Sequence, residues 1–262
     1  MQNSEEHIRR KLPSMYHQFK QLADIDITKE PMEVGPTTHY VMGGVRVDAD
    51  TQMSSVPGLF AAGECAAGIN GANRLGGNSL SDLLVFGKRA GEYAAKYARE
   101  HPRPAFHSAQ ADEAAHLAVQ PFEPHRAENP YTIQHELQDA MQRLVGIVRQ
   151  ESEMVSALDV IEKLRARAAT AAVHGHREYN PGWHTALDLR HLLTVSEAIA
   201  RCAIERRESR GGHFREDFPE KAAEFGKVNM LVRKTAAGSM ELQRIPLPDM
   251  PPELKQVIEE NK

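Results

Sequence analysis

Apolar residues fall at helical intervals in several stretches of the chain. Ile8, Leu12, Met15, Phe19 and Leu22 recur every three or four residues, which predicts a one-faced helix from Glu5 to about Leu22, bent or interrupted at Pro13. His39 to Asp48 alternates around Gly43-Gly44 and predicts strand, tight turn, strand; Leu59 to Ala62 reads as a short buried strand. A long helix is predicted from about Ser79 to Arg99, and Ser79 and Asp82 have capping-box spacing at its start. Pro102 to Pro130 holds five prolines and reads as a linker with a weak helix near 111–119. Three helical stripes follow. Ile133, Leu137, Met141, Leu144 and Val148 form the first, and Met154, Leu158, Ile161, Leu164 and Ala168 the second. The third, from Trp183 to about Arg206 after an Asn180-Pro181-Gly182 turn, is apolar nearly all round and reads as the buried member of a bundle. Val228, Met230 and Val232, a turn at Ala237-Gly238-Ser239, then Met240 and Leu242 predict a hairpin followed by an extended tail. There is no internal repeat.

Composition narrows the function classes. Lys and Arg number 32 against 36 Asp and Glu, a formal charge of -4, so a broad basic surface for nucleic acid is not indicated. No apolar run approaches the ~18 residues of a membrane span, and the start Met1 to Glu6 is polar and acidic, unlike a signal peptide. Two cysteines, Cys65 and Cys202, cannot build a disulfide framework. These features point to a cytoplasmic globular protein.

The chemistry concentrates between His39 and Leu80. The stretch Gly63 to Leu80 is glycine-rich, carries Asn70, Asn73, Asn78 and Arg74, and runs into a predicted helix start. Glycine lets backbone pass close to a ligand, a helix N-terminus offers unpaired N–H groups to negative charge, and an arginine grips a carboxylate through two parallel hydrogen bonds. The same features equally describe a glycine-rich turn with a solvated arginine. His174, His176, His184 and His191 lack the Cys or carboxylate company of a metal site and read as solvated or interhelical. Arg206, Arg207 and Arg210 form a basic cluster at a helix C-terminus, and Cys65 reads as a small core residue.

Three blocks in order, His39-Tyr40-Val41-Met42-Gly43-Gly44, Gly58-Leu59-Phe60-Ala61-Ala62-Gly63-Glu64 and Gly71-Ala72-Asn73-Arg74-Leu75-Gly76-Gly77-Asn78-Ser79-Leu80, resemble the flavoprotein subunit of succinate dehydrogenase and fumarate reductase. The likeness continues through Asp82 to Gly87 and into Glu208-Ser209-Arg210-Gly211-Gly212-His213 with Asp217-Phe218-Pro219. It implies an α+β chain: part of an FAD-binding domain, then a C-terminal three-helix bundle and a β-hairpin tail. The implied segments are 1–23 (end of a capping or linker region), 24–101 (C-terminal portion of the FAD-binding domain), 102–124 (linker) and 125–262 (helical domain with hairpin tail).

By the same resemblance, His39 and Arg74 bind the dicarboxylate. Glu64 hydrogen-bonds FAD near its ribitol or ribose hydroxyls, and the Ser79 and Leu80 N–H groups face the pyrimidine end of the isoalloxazine. Tyr40, Gly43 and Gly44 bring backbone against the flavin, and no metal ligand is implied. The family's G-x-G-x-x-G dinucleotide motif is absent from this sequence, and its proton-relay arginine lies upstream of the segment matched. The chain is therefore expected to be a C-terminal piece of a longer polypeptide, silent on its own. The parent is expected to interconvert succinate and fumarate and to pass electrons through an iron–sulfur subunit to quinone in a membrane-anchored partner, peripheral on the cytoplasmic face. Asn70 stands where many members have histidine. L-aspartate oxidase, another fumarate-reductase-like flavoenzyme and a non-catalytic helical interaction module are the alternatives. Gly76-Gly77-Asn78-Ser79 favours the succinate/fumarate branch over the Ala-Ser-Asn-Ser usual in L-aspartate oxidase.

Overall fold

The computed structural model describes residues 5–35, 38–123, 125 and 127–260. The polar start Met1 to Ser4, Pro36 and the linker's Pro124 lie outside them. The chain divides into two compact units, 1–39 and 40–262.

In the first unit, α1 (Glu5–Lys11) and α2 (Pro13–Ala23) divide the predicted helix at the proline. Proline has no N–H to offer an interior turn but fits the first turn of a new helix, where that donor has no partner anyway. Asp24, in left-handed backbone at φ 55°, ends α2 with its N–H on the Phe19 carbonyl.

The second unit begins with isolated bridges rather than a hairpin. The chain does not reverse at Gly43-Gly44. Val45 pairs in parallel with Ala66, and the reversal comes later, where Val47 meets Ser54. Asp48 makes that turn, because its Oδ1 accepts from the backbone N–H and the hydroxyl of Thr51 at 2.9 and 2.8 Å. Gly44 serves a different purpose: a Cβ there would sit 2.4 Å from the Cys65 carbonyl oxygen. Leu59 to Ala62 is not a buried strand either. Leu59 is exposed, and Phe60 makes a single antiparallel bridge to Met53 and an edge-on ring contact with Tyr97.

Helix α3 (Asn78–Glu100) starts without the expected capping box. Its N-cap is Gly77, at φ 84°, with no side-chain cap bond, and Asp82 turns inward instead. Helix α4 (Ser108–Val119) occupies the proline-rich stretch.

Three helices then form the bundle: α5 (Pro130–Leu144), α6 (Glu151–Ala168) and α7 (Pro181–Glu205). Asn129 and Asn180 cap α5 and α7, each with proline next in line, so the predicted Asn180-Pro181-Gly182 turn is the opening of α7 itself. Ile133, Leu137, Ile161, Leu164, Leu189 and Leu193 close the upper core, and Val145, Met154, Ala157, Ala200 and Ala203 the lower. Helix α7 is not buried all round, since Val195 is half exposed and Leu192 also reaches solvent.

A parallel pair, β1 (Val148–Arg149) with β2 (Phe214–Arg215), joins the end of α5 to the segment after α7. Strands β3 (Val228–Lys234) and β4 (Met240–Pro246) form the expected hairpin, from Val228 opposite Pro246 to Lys234 opposite Met240. The tail beyond is not extended: Pro252–Glu260 is a helix, α8. Among the described residues no helix is long and apolar enough to cross a membrane.

Two buried ionic groups fasten the end of α7. Arg215 is fully buried; it donates to Asp217 and Glu151 and to the Ala203 and Ile204 carbonyls that end α7. Glu208 is also fully buried and accepts from Arg206, from Arg210 and from the Ala222 N–H. Burial works to raise the Glu208 carboxyl, but the hydrogen bonds from Arg210, Ala222 and Arg206 outweigh it and hold it at about 2. Hydrogen bonding from Arg215 holds Asp217 at about 2 as well.

Both values lie below those of an unfolded chain, roughly 4. The stability these groups contribute is thus complete above about pH 4.5 and is lost as the pH falls toward about 2. Glu208→Gln is expected to melt lower than wild type near neutrality and to lose less on acidification from about pH 5 to about pH 3, measured by thermal denaturation across pH. Equal acid sensitivity of the two proteins would contradict the ionic role of Glu208. In the upper core, Leu193→Ala is expected to cost about 2–5 kcal/mol by denaturant titration.

Candidate functional site

Tyr40 opens the second unit, and Asn70, Arg74 and Asp82 gather around it. Its hydroxyl donates to Asp82 Oδ2 at 3.3 Å and accepts from Asn70 Nδ2 at 3.2 Å. The phenol is thus tied on one side to the first turns of α3 and on the other to the glycine-rich loop. Burial raises its pKa first, and the Asp82 carboxylate adds to the rise.

The Arg74 guanidinium lies over the Tyr40 ring, its carbon 4.7 Å from the centroid. This is cation–π geometry, and it leaves the edge of the guanidinium open for hydrogen bonding. Nη1 donates to the Leu75 carbonyl at 3.2 Å, while the buried Nε has no partner among the described residues. Asp82 is 4% exposed, and its Oδ1 is likewise unpaired among those residues. Two orphaned buried polar atoms beside one anchored ring are uncommon in a finished protein interior.

Glu64 accepts from the Val41 N–H at 3.0 Å and so tethers the Tyr40–Gly44 segment to the loop that follows residue 62. Gly43 faces open space, whereas Gly44 is pressed against Cys65. At the start of α3 the Leu80 N–H is taken by the Gly77 carbonyl at 3.1 Å and the Asn78 N–H by Leu75 at 3.1 Å, so Leu80 does not bring an open donor; Ser79 sits between them. His39 is exposed and closes the first unit.

Asp82 and Asn70 are the residues whose roles sequence reasoning missed. Asp82 carried a capping signal, and Asn70 stood out only as a departure from the family pattern. Partners 42 and 30 residues away along the chain leave no local signature.

The other candidates resolve differently. Cys65 is exposed rather than core, with its Sγ 3.2 Å from the Ala62 carbonyl oxygen. No cluster able to hold a metal occurs among the described residues, and the His174 and His176 carbonyls accept from Asn180. The basic cluster is neutralised: Arg206 and Arg210 pair with Glu208, and Arg207 reaches Glu151 at 3.5 Å.

Comparison with known proteins shows what the chain is similar to. Residues 2–80 match the FAD binding domain family, and residues 134–257 match the family described as fumarate reductase flavoprotein C-term. A fumarate reductase (CoM/CoB) subunit of Methanothermobacter marburgensis is 40% identical over 230 residues, which are 88% of this chain and 41% of the relative. The solved structure of Mycobacterium smegmatis Sdh1 superposes with a TM-score of 0.89 at 50% identity, over 99% of this chain and 44% of that one. A quinol fumarate reductase structure from Escherichia coli gives 0.87 at 32% identity, over 95% and 44%. The chain thus spans about two fifths of the length of the curated relatives it matches. With both family matches on one chain and the mixed helix and strand fold in place, it belongs to the succinate dehydrogenase and fumarate reductase flavoprotein family.

Proposed function

We propose that the whole protein interconverts succinate and fumarate with FAD, and that this chain supplies the dicarboxylate-gripping arginine and one wall of the flavin site. The observation that carries the reading is Arg74. A guanidinium stacked on an anchored phenol, with Nε buried and unpaired among the described residues, is a fork held ready for an anion.

The residues present also fit a flavin. Gly43, Gly76 and Gly77 have nothing within 4 Å of where a Cβ would stand, so bare backbone is open to a flat ring. When bound, FAD supplies the hydride acceptor or donor. The chain supplies position, which counts heavily because hydride transfer requires close, aligned approach.

In this reading Arg74 takes one carboxylate through two parallel hydrogen bonds. His39 donates to the diacid as well, an assignment resting on the His-Tyr-x-x-Gly-Gly motif. Tyr40, Gly43 and Gly44 line the flavin, and Glu64 turns its remaining carboxylate oxygen toward the cofactor's hydroxyls. The Ser79 N–H meets the pyrimidine end of the ring, where the positive end of α3 favours negative charge. Leu80, its N–H already engaged, contributes through the shape of the helix start.

Residues 24–101 then complete the FAD-binding domain, after 1–23 at the end of a capping or linker region. Residues 102–124 link it to the helical domain at 125–262. Electrons leave through an iron–sulfur subunit to quinone in a membrane-anchored partner on the cytoplasmic face. The name of one solved relative, a quinol fumarate reductase, supports the quinone end of that route.

Arg74→Lys in the full-length protein tests the reading, since lysine lacks the planar fork. Dicarboxylate affinity, followed through perturbation of the bound flavin's absorbance, is expected to fall about 10- to 100-fold with flavin content unchanged. Loss of flavin with intact dicarboxylate affinity would refute the role assigned to Arg74.

A further inference from the structure

The segment from Glu208 to His213 is fastened far more firmly than a connecting loop requires. Glu208 is anchored as described above. Ser209 Oγ lies 2.9 Å from the Phe218 carbonyl oxygen and accepts from the Arg215 N–H at 2.8 Å. The backbones of Arg210 and His213 close on each other, N–H to carbonyl in both directions, at 2.8 and 3.0 Å. The His213 ring is held between Arg206 and Arg149: Nε2 donates to the Arg206 carbonyl at 2.9 Å, and Nδ1 accepts from Arg149 Nη1 at 2.8 Å.

The tip of this turn meets the glycine-rich loop. Gly212 N–H donates to the Ala72 carbonyl at 2.9 Å. Gly211, at φ +60°, lies so close that a Cβ would come within 2.2 Å of the same oxygen. Arg74 is two residues further along. Its loop also contains Gly68, Gly71, Gly76 and Gly77, none of which has a neighbour within 4 Å of a Cβ position. A run so rich in glycine has little stiffness of its own.

We infer that the Glu208–His213 turn is a positioning element for dicarboxylate binding: its Gly211-Gly212 tip pins the Ala72 carbonyl and thereby sets the Arg74 guanidinium over Tyr40. The inference rests on the role proposed for Arg74. It assigns the turn after α7 a part in substrate affinity, exerted through the Ala72 carbonyl. A side chain at Gly211 has nowhere to go, because the obstructing atom is backbone, so the loop must shift to admit it.

The test uses the full-length flavin-loaded protein, with the dicarboxylate dissociation constant read from flavin absorbance. That constant is a property of the folded, flavin-bearing fraction, so a lower yield does not imitate a change in it. Gly211→Ala is expected to raise it about tenfold or more, with KM rising more than kcat falls, as a displacement near 1 Å of a binding group would produce. Ser209→Ala, which loosens the turn without adding bulk, is expected to raise it about threefold. Gly238→Ala, at φ +87° in the distant β3–β4 turn, introduces the same left-handed strain away from the loop and should leave it unchanged.

Lowered melting temperatures with wild-type dissociation constants in both Gly211→Ala and Ser209→Ala would overturn the inference. If Gly211→Ala does not fold, Ser209→Ala decides alone. Arg74→Lys, measured alongside, separates the two claims. Weakened binding in Arg74→Lys with normal binding in the turn variants removes the inference and keeps the functional reading; normal binding in Arg74→Lys removes the reading itself.

Discussion

Glu208 is a carboxylate with no exposed surface, and the chain around it is arranged to meet the demands of that charge. An ion taken from water costs several kcal/mol unless every lone pair finds a donor. Here the donors come from three places: Arg206 at the end of α7, Arg210 in the turn and the Ala222 N–H beyond it. Satisfying one charge therefore fixes three backbone segments relative to one another. Arg215 repeats the principle with opposite sign, tying the start of α6 through Glu151 to the last carbonyls of α7. A bundle held by apolar helix faces tolerates sliding; two buried ions with full hydrogen-bond shells do not. The rigidity of the segment after α7 follows from that difference.

The helices were legible because burial at helical spacing is a local property. Ile133, Leu137, Ile161, Leu164, Leu189 and Leu193 occur in the pattern and reappear as the core. What escaped was decided by contacts between distant residues or by competition between neighbours. Two good turn formers, Gly43-Gly44 and Asp48, lie five residues apart. The reversal went to Asp48 because its carboxylate bonds its own turn, while Gly44 was committed to passing Cys65. Ser79 and Asp82 had capping spacing, but a longer-range partner, the Tyr40 hydroxyl, claimed the carboxylate. The β1–β2 pair spans two residues on each side and leaves no period to read.

The candidate site divides in the same way. Its chain-local signals, the glycines, Arg74 and Tyr40, were visible as motifs. The supports were not. Asp82 and Asn70 act on Tyr40 across long stretches of chain, and nothing in a run of residues announces which phenol a carboxylate will reach. A residue that holds another in place can sit wherever the fold brings it.

That distinction bears on why a glycine-rich loop should carry the arginine proposed to bind the dicarboxylate. Glycine allows backbone to approach a flat ring, and the same freedom makes the loop entropically expensive to order. An arginine on such a loop has no fixed geometry of its own, so its precision must be imposed from outside. Two constraints from different parts of the second unit do so. The Tyr40 ring, tied to Asp82 and Asn70, fixes the plane on which the guanidinium lies. The Gly211-Gly212 tip fixes the backbone two residues before it. Either alone would leave a hinge, since a ring contact does not hold the main chain and a main-chain bond does not orient a long side chain. A loop proposed to lie open to a cofactor can in this way still present its charge in one place, because the turn after α7 and Asp82 of α3 supply contacts it does not make for itself.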